Sequence, residues 1–173
     1  MVIPLADNNQ LDTYLYQLVV FTGMRANAGT KSKVIEKAFE WKWTTKTFLS
    51  LRKVHFILSG SDDETSIRTL SAKRRILARG STDSFVMSVP RYVHCFCSSL
   101  NRIFPGEFFR KLGQLNYLRI WHDNSGFDSD ASWYLKYVLV RDLQTMETTY
   151  FICENWLAVE KDLGEVSTRF PCW

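Results

Sequence analysis

Three short stretches carry the residue types that could do chemistry. In "RIWHDNSG" (119–126), His122 stands beside Asp123, a base next to a carboxylate, as catalytic and metal sites use them. In an extended chain, however, neighbouring side chains leave opposite faces, so this pair does not naturally hydrogen-bond to itself. No G-x-S-x-G elbow or other nucleophile signal accompanies it, and His122 reads as a packing or strand-end residue. The stretch runs on through Asn124, Asp128 and Asp130. A hard cation such as calcium gathers about six to eight oxygens of this kind, but Asp, Asn, Ser and Gly are also the makings of an ordinary polar turn. The second stretch, "SGSDDETS" (59–66), places Asp62, Asp63 and Glu64 in a row, a run that is usually a solvated turn. The third, "TGMRANAGTKSK" (22–33), is a tight loop around Gly23, Ala28 and Gly29. It lacks the GK[ST] ending of a phosphate loop.

A different chemistry is offered by "AKRRILARG" (72–80), with Lys73, Arg74 and Arg75, and by Trp41 and Trp43. Basic residues with aromatic tips are what a peripheral membrane binder needs, charge attraction plus a shallow apolar anchor. The alternative is a solvated, mixed-charge face. The cysteines, Cys95, Cys97, Cys153 and Cys172, match no zinc spacing, because the CxC pair has no second pair to close a tetrahedron. Reduced thiols in a cytosolic setting are the reading that fits.

These residues must be held by something. A chain of 173 residues, 46% hydrophobic and 14% aromatic, has the substance for one domain with a real core and is not a disordered tail. A net charge of +4 suits an acidic surface such as anionic lipid and is too diffuse for a nucleic-acid binder. "MVIPLADNN" is not a signal peptide, and no apolar run reaches the ~18–20 residues of a membrane-spanning helix.

Period-two alternation and short apolar runs predict strands over 13–23, 54–60, 84–90, 115–124, 132–143 and 148–157, the last two joined by "QTME", a hairpin-length connection. In 115–124, Leu118 and Ile120 share one face while Leu115, Tyr117, Arg119 and Trp121 share the other. Trp121, Trp133 and Trp156 are nonetheless expected as core or inter-sheet residues, because aromatics of that size dominate core energetics. Short strands punctuated by turn signals predict an all-β, antiparallel sandwich. Two segments break the pattern, 34–53 and 92–111, and are expected as irregular or helical insertions at strand connections.

"YLYQLVVFTGMRANAGTKSK", "VHFILSG", "LGQLNYLRIWHDNSG", "SWYLKYVLVRDLQT" and "YFICENWLAVE", in this order, resemble a PLAT domain, also called LH2, and within that family the polycystin branch. The resemblance covers about 10–165 once the two insertions are set aside, leaving 1–9 and 166–173 as flanks. It implies an eight-stranded antiparallel sandwich of two four-stranded sheets. It further implies a binding module without catalysis, on the cytoplasmic side of a multi-pass membrane protein, contacting anionic phospholipid or protein partners and often calcium. Calcium-binding members use three loops. By matching position these give Asn27, Gly29 and Thr30, then Asp62, Asp63 and Glu64, then Asp130 with Ala131 through its carbonyl. The chain departs at Lys31, where calcium binders often carry Asp, so one weak site or none is expected. The alternatives are a metal-independent protein adaptor and a regulatory lipid-targeting domain of a lipoxygenase- or lipase-type enzyme.

Overall fold

The β-branched and aromatic residues of "YLYQLVVFT" suit a pleated, half-buried surface, and their burial follows the period of two. Tyr14, Tyr16, Leu18, Val20 and Thr22 face inward, while Leu15, Gln17, Val19 and Phe21 are half-exposed. The same logic organises the rest of the computed structural model, which describes residues 2–29, 54–72, 74–90, 112–122, 132–158 and 167–172. Its strands are β1 (Val2–Pro4), β2 (Tyr14–Thr22), β3 (Val54–Gly60), β4 (Arg68–Leu70), β5 (Thr82–Val89), β6 (Leu115–His122), β7 (Trp133–Asp142), β8 (Thr148–Leu157) and β9 (Ser167–Pro171).

Among the described residues these form a five-stranded sheet, β1-β5-β2-β7-β8, and a four-stranded sheet, β4-β3-β6-β9. The β-sandwich read from the strand pattern is thus borne out, with a fifth strand on one sheet. That strand is β1, which pairs with β5 in parallel; every other pairing is antiparallel. The stretches 1–9 and 166–173 therefore supply β1 and β9. The insertions 34–53 and 92–111 lie outside the described residues.

The two inner faces close over one core that includes Tyr16, Leu18, Phe56, Phe85, Leu118, Trp133 and Phe151. Fully burying a side chain of this size is worth about 1.5–3 kcal/mol. A one-residue slip of any strand would turn its whole set outward, so burial fixes the register. Of the three tryptophans expected in the core, only Trp133 is there, at 0% exposed. Trp121 and Trp156 are half-exposed. Trp121 follows the parity of its strand: Ile120 and His122 face inward, so it faces out, and size does not override the pleat.

Strand direction then sorts the connections between two ends. At one end lie Thr22, Thr82, Trp133 and Leu157, together with Val54 and His122 of the other sheet. Trp133↔Leu157 and Val54↔His122 in register and Gly23 N–H donating to the Tyr134 carbonyl hold each sheet's share of this group, and His122 Nε2, 2.7 Å from the Leu157 carbonyl, joins the two sheets. At the opposite end lie Gly60, Leu115, Tyr14 and Asp142. There the Leu112 N–H reaches the Tyr16 hydroxyl, and the Asp62 N–H donates to the Leu112 carbonyl. The seven residues of β3 put about 20 Å between the two.

Candidate functional site

The Thr22 end is assembled from three connections: residues 23–29 after β2, residues 71–81 between β4 and β5, and the start of β7. At Gly23 a side chain has no room, because a Cβ there would stand 2.3 Å from Tyr134 Cδ1. The close approach lets backbone meet backbone. Gly23 N–H donates to the Tyr134 carbonyl at 3.0 Å, and Tyr134 N–H donates to the Ala28 carbonyl at 2.9 Å. Gly80 N–H donates to the Gly23 carbonyl at 2.9 Å, and Arg79 Nε donates to the Met24 carbonyl at 2.7 Å. Asn27 completes the turn at φ 60, a conformation asparagine tolerates better than most residues. Tyr134 is buried although strand parity turns it outward, because this loop lies over it: the Arg25 guanidinium sits 4.3 Å from its ring centroid.

Residues 71–81 are built around one carboxylate. Asp83, 1% exposed, accepts from Leu77 N–H at 2.8 Å and from Ser81 Oγ at 2.8 Å. Its other oxygen pairs with Arg74 at 3.0 Å. Leu77 is fully buried and left-handed, with φ 53, so the carboxylate holds a strained turn in place. Arg74, expected at the lipid surface, is thus also a structural counter-ion. Arg75 is exposed and no ion pair engages it among the described residues.

What this end presents outward is Met24, 78% exposed, with exposed Arg25, Arg75 and Arg79. Met24, Arg25 and Arg79 form the surface that sequence reasoning did not assemble. The signal available to it was the "MRA" tip of a Gly-bounded loop. His122 is 2% exposed, and its Nε2 lies 2.7 Å from the Leu157 carbonyl. A carbonyl only accepts, so Nε2 carries the proton; the imidazole fastens one sheet to the other, as a packing role requires.

Among the described residues, the expected ion ligands fall at two different ends. Asn27 and Gly29 are at the Thr22 end, whereas Asp62, Asp63 and Glu64 follow Gly60 at the other end. Sequence order cannot reveal this; strand direction does. Asp62 accepts from Ser61 Oγ at 2.8 Å, and Glu64 accepts from the Tyr117 hydroxyl at 2.9 Å. Thr30, Asp130, Ala131, Trp41, Trp43 and Lys73 lie outside the described residues. Among the described residues no group of three His, Cys, Asp or Glu could hold a metal ion. The described part of the Thr22 end offers neutral oxygens among arginines, which does not fit calcium without further carboxylates.

Beside Glu64, Pro90 and Leu112 is a shallow hollow whose wall includes Arg68, 7% exposed. This guanidinium donates to Ser88 O and Asn8 Oδ1 and pairs with Asp7 at 3.2 Å, tying the segment after β1 to β4. Burial pushes the Tyr16 hydroxyl up to about 12, against the lowering effect of its hydrogen bond with Leu112.

The described residues thus form a two-sheet sandwich whose connections gather at its two ends. The PLAT/LH2 family model matches residues 39–170, and the chain belongs to the PLAT/LH2 domain family. It is 30% identical over 166 residues to Location of vulva defective 1 of Caenorhabditis elegans, covering 93% of this chain and 4% of that protein. To Polycystin-1-like protein 3 of Mus musculus it is 30% identical over 161 residues, covering 92% of this chain and 6% of that one. The chain therefore spans only a small part of these relatives. Among solved structures it resembles coral 8R-lipoxygenase, described as showing "calcium activation via a C2-like domain", with TM-score 0.58 and 14% identity over 91% of this chain and 17% of that one. It also resembles the alpha-toxin of Clostridium perfringens, with TM-score 0.52 and 12% identity over 96% of this chain and 33% of that one. These likenesses concern the fold. No helix among the described residues is long and apolar enough to cross a membrane.

Proposed function

We propose that the chain is a non-catalytic binding module of a polycystin-like membrane protein, and that its Thr22 end meets anionic phospholipid on the cytoplasmic face. The observation that carries this reading is Met24, 78% exposed, set among the exposed Arg25, Arg75 and Arg79. An apolar tip inserts shallowly while the arginines answer the lipid phosphates. Trp41, Trp43 and Lys73 belong to the proposal by their place in the sequence. Arg74 adds to the positive field while paired with Asp83.

Calcium enters this proposal only through Asn27, Gly29, Thr30, Asp130 and Ala131. Asp130 and Ala131 fall between His122 and Ser132 in the chain, and His122 is at this end. The surrounding arginines oppose a cation, so the calcium effect is expected to be weak. Asp62, Asp63 and Glu64 form no part of it.

Co-sedimentation with phosphatidylserine-containing and neutral vesicles, with and without calcium, tests the reading. Anionic vesicles should retain the protein, and Met24→Ser with Arg75→Glu should weaken retention on the order of a hundredfold. Background retention on both vesicle types would leave the metal-independent adaptor reading. The regulatory-domain reading rests on the lipoxygenase-like fold and requires a catalytic domain in the same polypeptide.

A further inference from the structure

The outer face of the four-stranded sheet carries a second set of cations, remote from the Thr22 tip and differently built. Arg119 on β6 and Arg169 on β9 are cross-strand partners. Like charges directly opposite one another work against a sheet. Nothing relieves this pair: among the described residues no carboxylate lies within ion-pair distance of either. By contrast, the buried Arg68 and the exposed Arg74 each have one.

Both guanidinium groups are instead laid on aromatic rings. Arg119 Cζ is 5.1 Å from the Trp121 centroid and Arg169 Cζ is 5.3 Å from the Tyr117 centroid. Arg119 Nε also donates to Ser167 Oγ at 3.2 Å, which leaves its Nη groups without a protein acceptor among the described residues. His55, 5.8 Å from the Trp121 ring, extends the face toward β3. Glu64 accepts from the Tyr117 hydroxyl and forms an ion pair with neither arginine. The ring contacts help to hold the guanidinium groups in place before any ligand arrives, and a planar fork is suited to gripping carboxylates in pairs.

We propose that this face docks an acidic, extended segment of a partner protein, with Arg119 and Arg169 each gripping one carboxylate. On an extended chain, acidic side chains two residues apart point the same way and stand about 7 Å apart, a spacing the cross-strand arginines can span. A membrane is the poorer fit, because the cations stand over half-exposed rings and, among the described residues, no exposed large hydrophobic belongs to β6 or β9. The inference rests on the binding-module reading and gives its protein partner a chemistry; it uses none of the residues assigned to lipid.

Isotope-labelled protein titrated with an alternating Glu-Ser decapeptide tests it, with a Gln-Ser peptide, inorganic phosphate and phosphatidylserine vesicles as the other probes. The Glu-Ser peptide should move the signals of residues 117–121 and 167–170 and the Trp121 indole. Arg119→Gln with Arg169→Gln should weaken it at least tenfold, and vesicle retention should stay unchanged. The double variant removes a repulsion, so its melting temperature should hold or rise. Should it fail to fold, the wild-type shift map at low and high salt decides instead: shifts on this face that fade with salt support the proposal, and shifts elsewhere sink it. Equal binding by the folded double variant, equal saturation by phosphate, or vesicles displacing the peptide from this face would overturn it. Loss of vesicle retention by the Met24 and Arg75 variant with peptide binding intact would leave each claim standing separately.

Discussion

Replacing Asp83 by alanine removes the acceptor around which residues 71–81 are folded. The buried Leu77 N–H loses its partner at 2.8 Å, and an unsatisfied buried donor costs about 1–3 kcal/mol. The bond from Ser81 Oγ adds about 1 kcal/mol. The Arg74 pair contributes little, because Arg74 is 45% exposed and screened by water. The expected loss is about 3 kcal/mol, much of the roughly 5–15 kcal/mol that holds a domain together. For a chain of this size that is a fall of about 10 °C in melting temperature. Arg74→Gln, which removes only the ion pair, should shift it by no more than about 2 °C. Thermal circular dichroism measures both, and hydrogen exchange at the Leu77 amide localises the effect. If the two variants melted together, or the Leu77 amide stayed protected in the alanine variant, the carboxylate would not be organising the turn.

Gly60→Ala should cost about 3 kcal/mol or prevent folding, because its Cβ would stand 1.9 Å from the Leu112 carbonyl oxygen, a backbone atom that cannot step aside; urea titration reads this directly. The Tyr16 hydroxyl, raised to about 12 by burial, favours the folded state fully below the ordinary pKa of 10. That contribution should be lost as pH rises through 12, and ultraviolet titration of the phenolate against a Tyr16→Phe variant checks it. Burial likewise pushes the Cys153 thiol up to about 12, so in the native protein at pH 8 it should resist alkylation that denaturant allows, as mass spectrometry of the labelled peptide would report.

The strands were legible wherever alternation ran long enough. Val54–Gly60 and Thr148–Leu157 fall on the predicted bounds, and β2, β5 and β7 depart from theirs by a residue or two. Val2–Pro4 and Ser167–Pro171 were not legible, since three to five residues give no period to count. The error over Trp121 came from letting hydrophobic mass outvote parity, although Leu118 and Ile120 had already claimed the inner face. The distance of the acidic loop from Asn27 and Gly29 was hidden for a different reason. A turn's composition says that it is solvated, and only the number of strand crossings between two turns says which end of the sandwich each occupies. Arg68 and Asp83 were invisible as interior groups, because a lone charged residue in a polar stretch gives no sign of being buried.

The backbone bonds that sew 23–29 to Tyr134 and Gly80 have a kinetic consequence. A ligand meeting residues 23–29 finds a surface already ordered when the chain folded, so these residues need not settle before contact becomes productive. Capture should then be limited by encounter rather than by rearrangement, and encounter with a negative surface is hastened by the arginine field. The association rate should fall steeply as salt is added, while the dissociation rate, set by how deeply Met24 is seated, should scarcely respond.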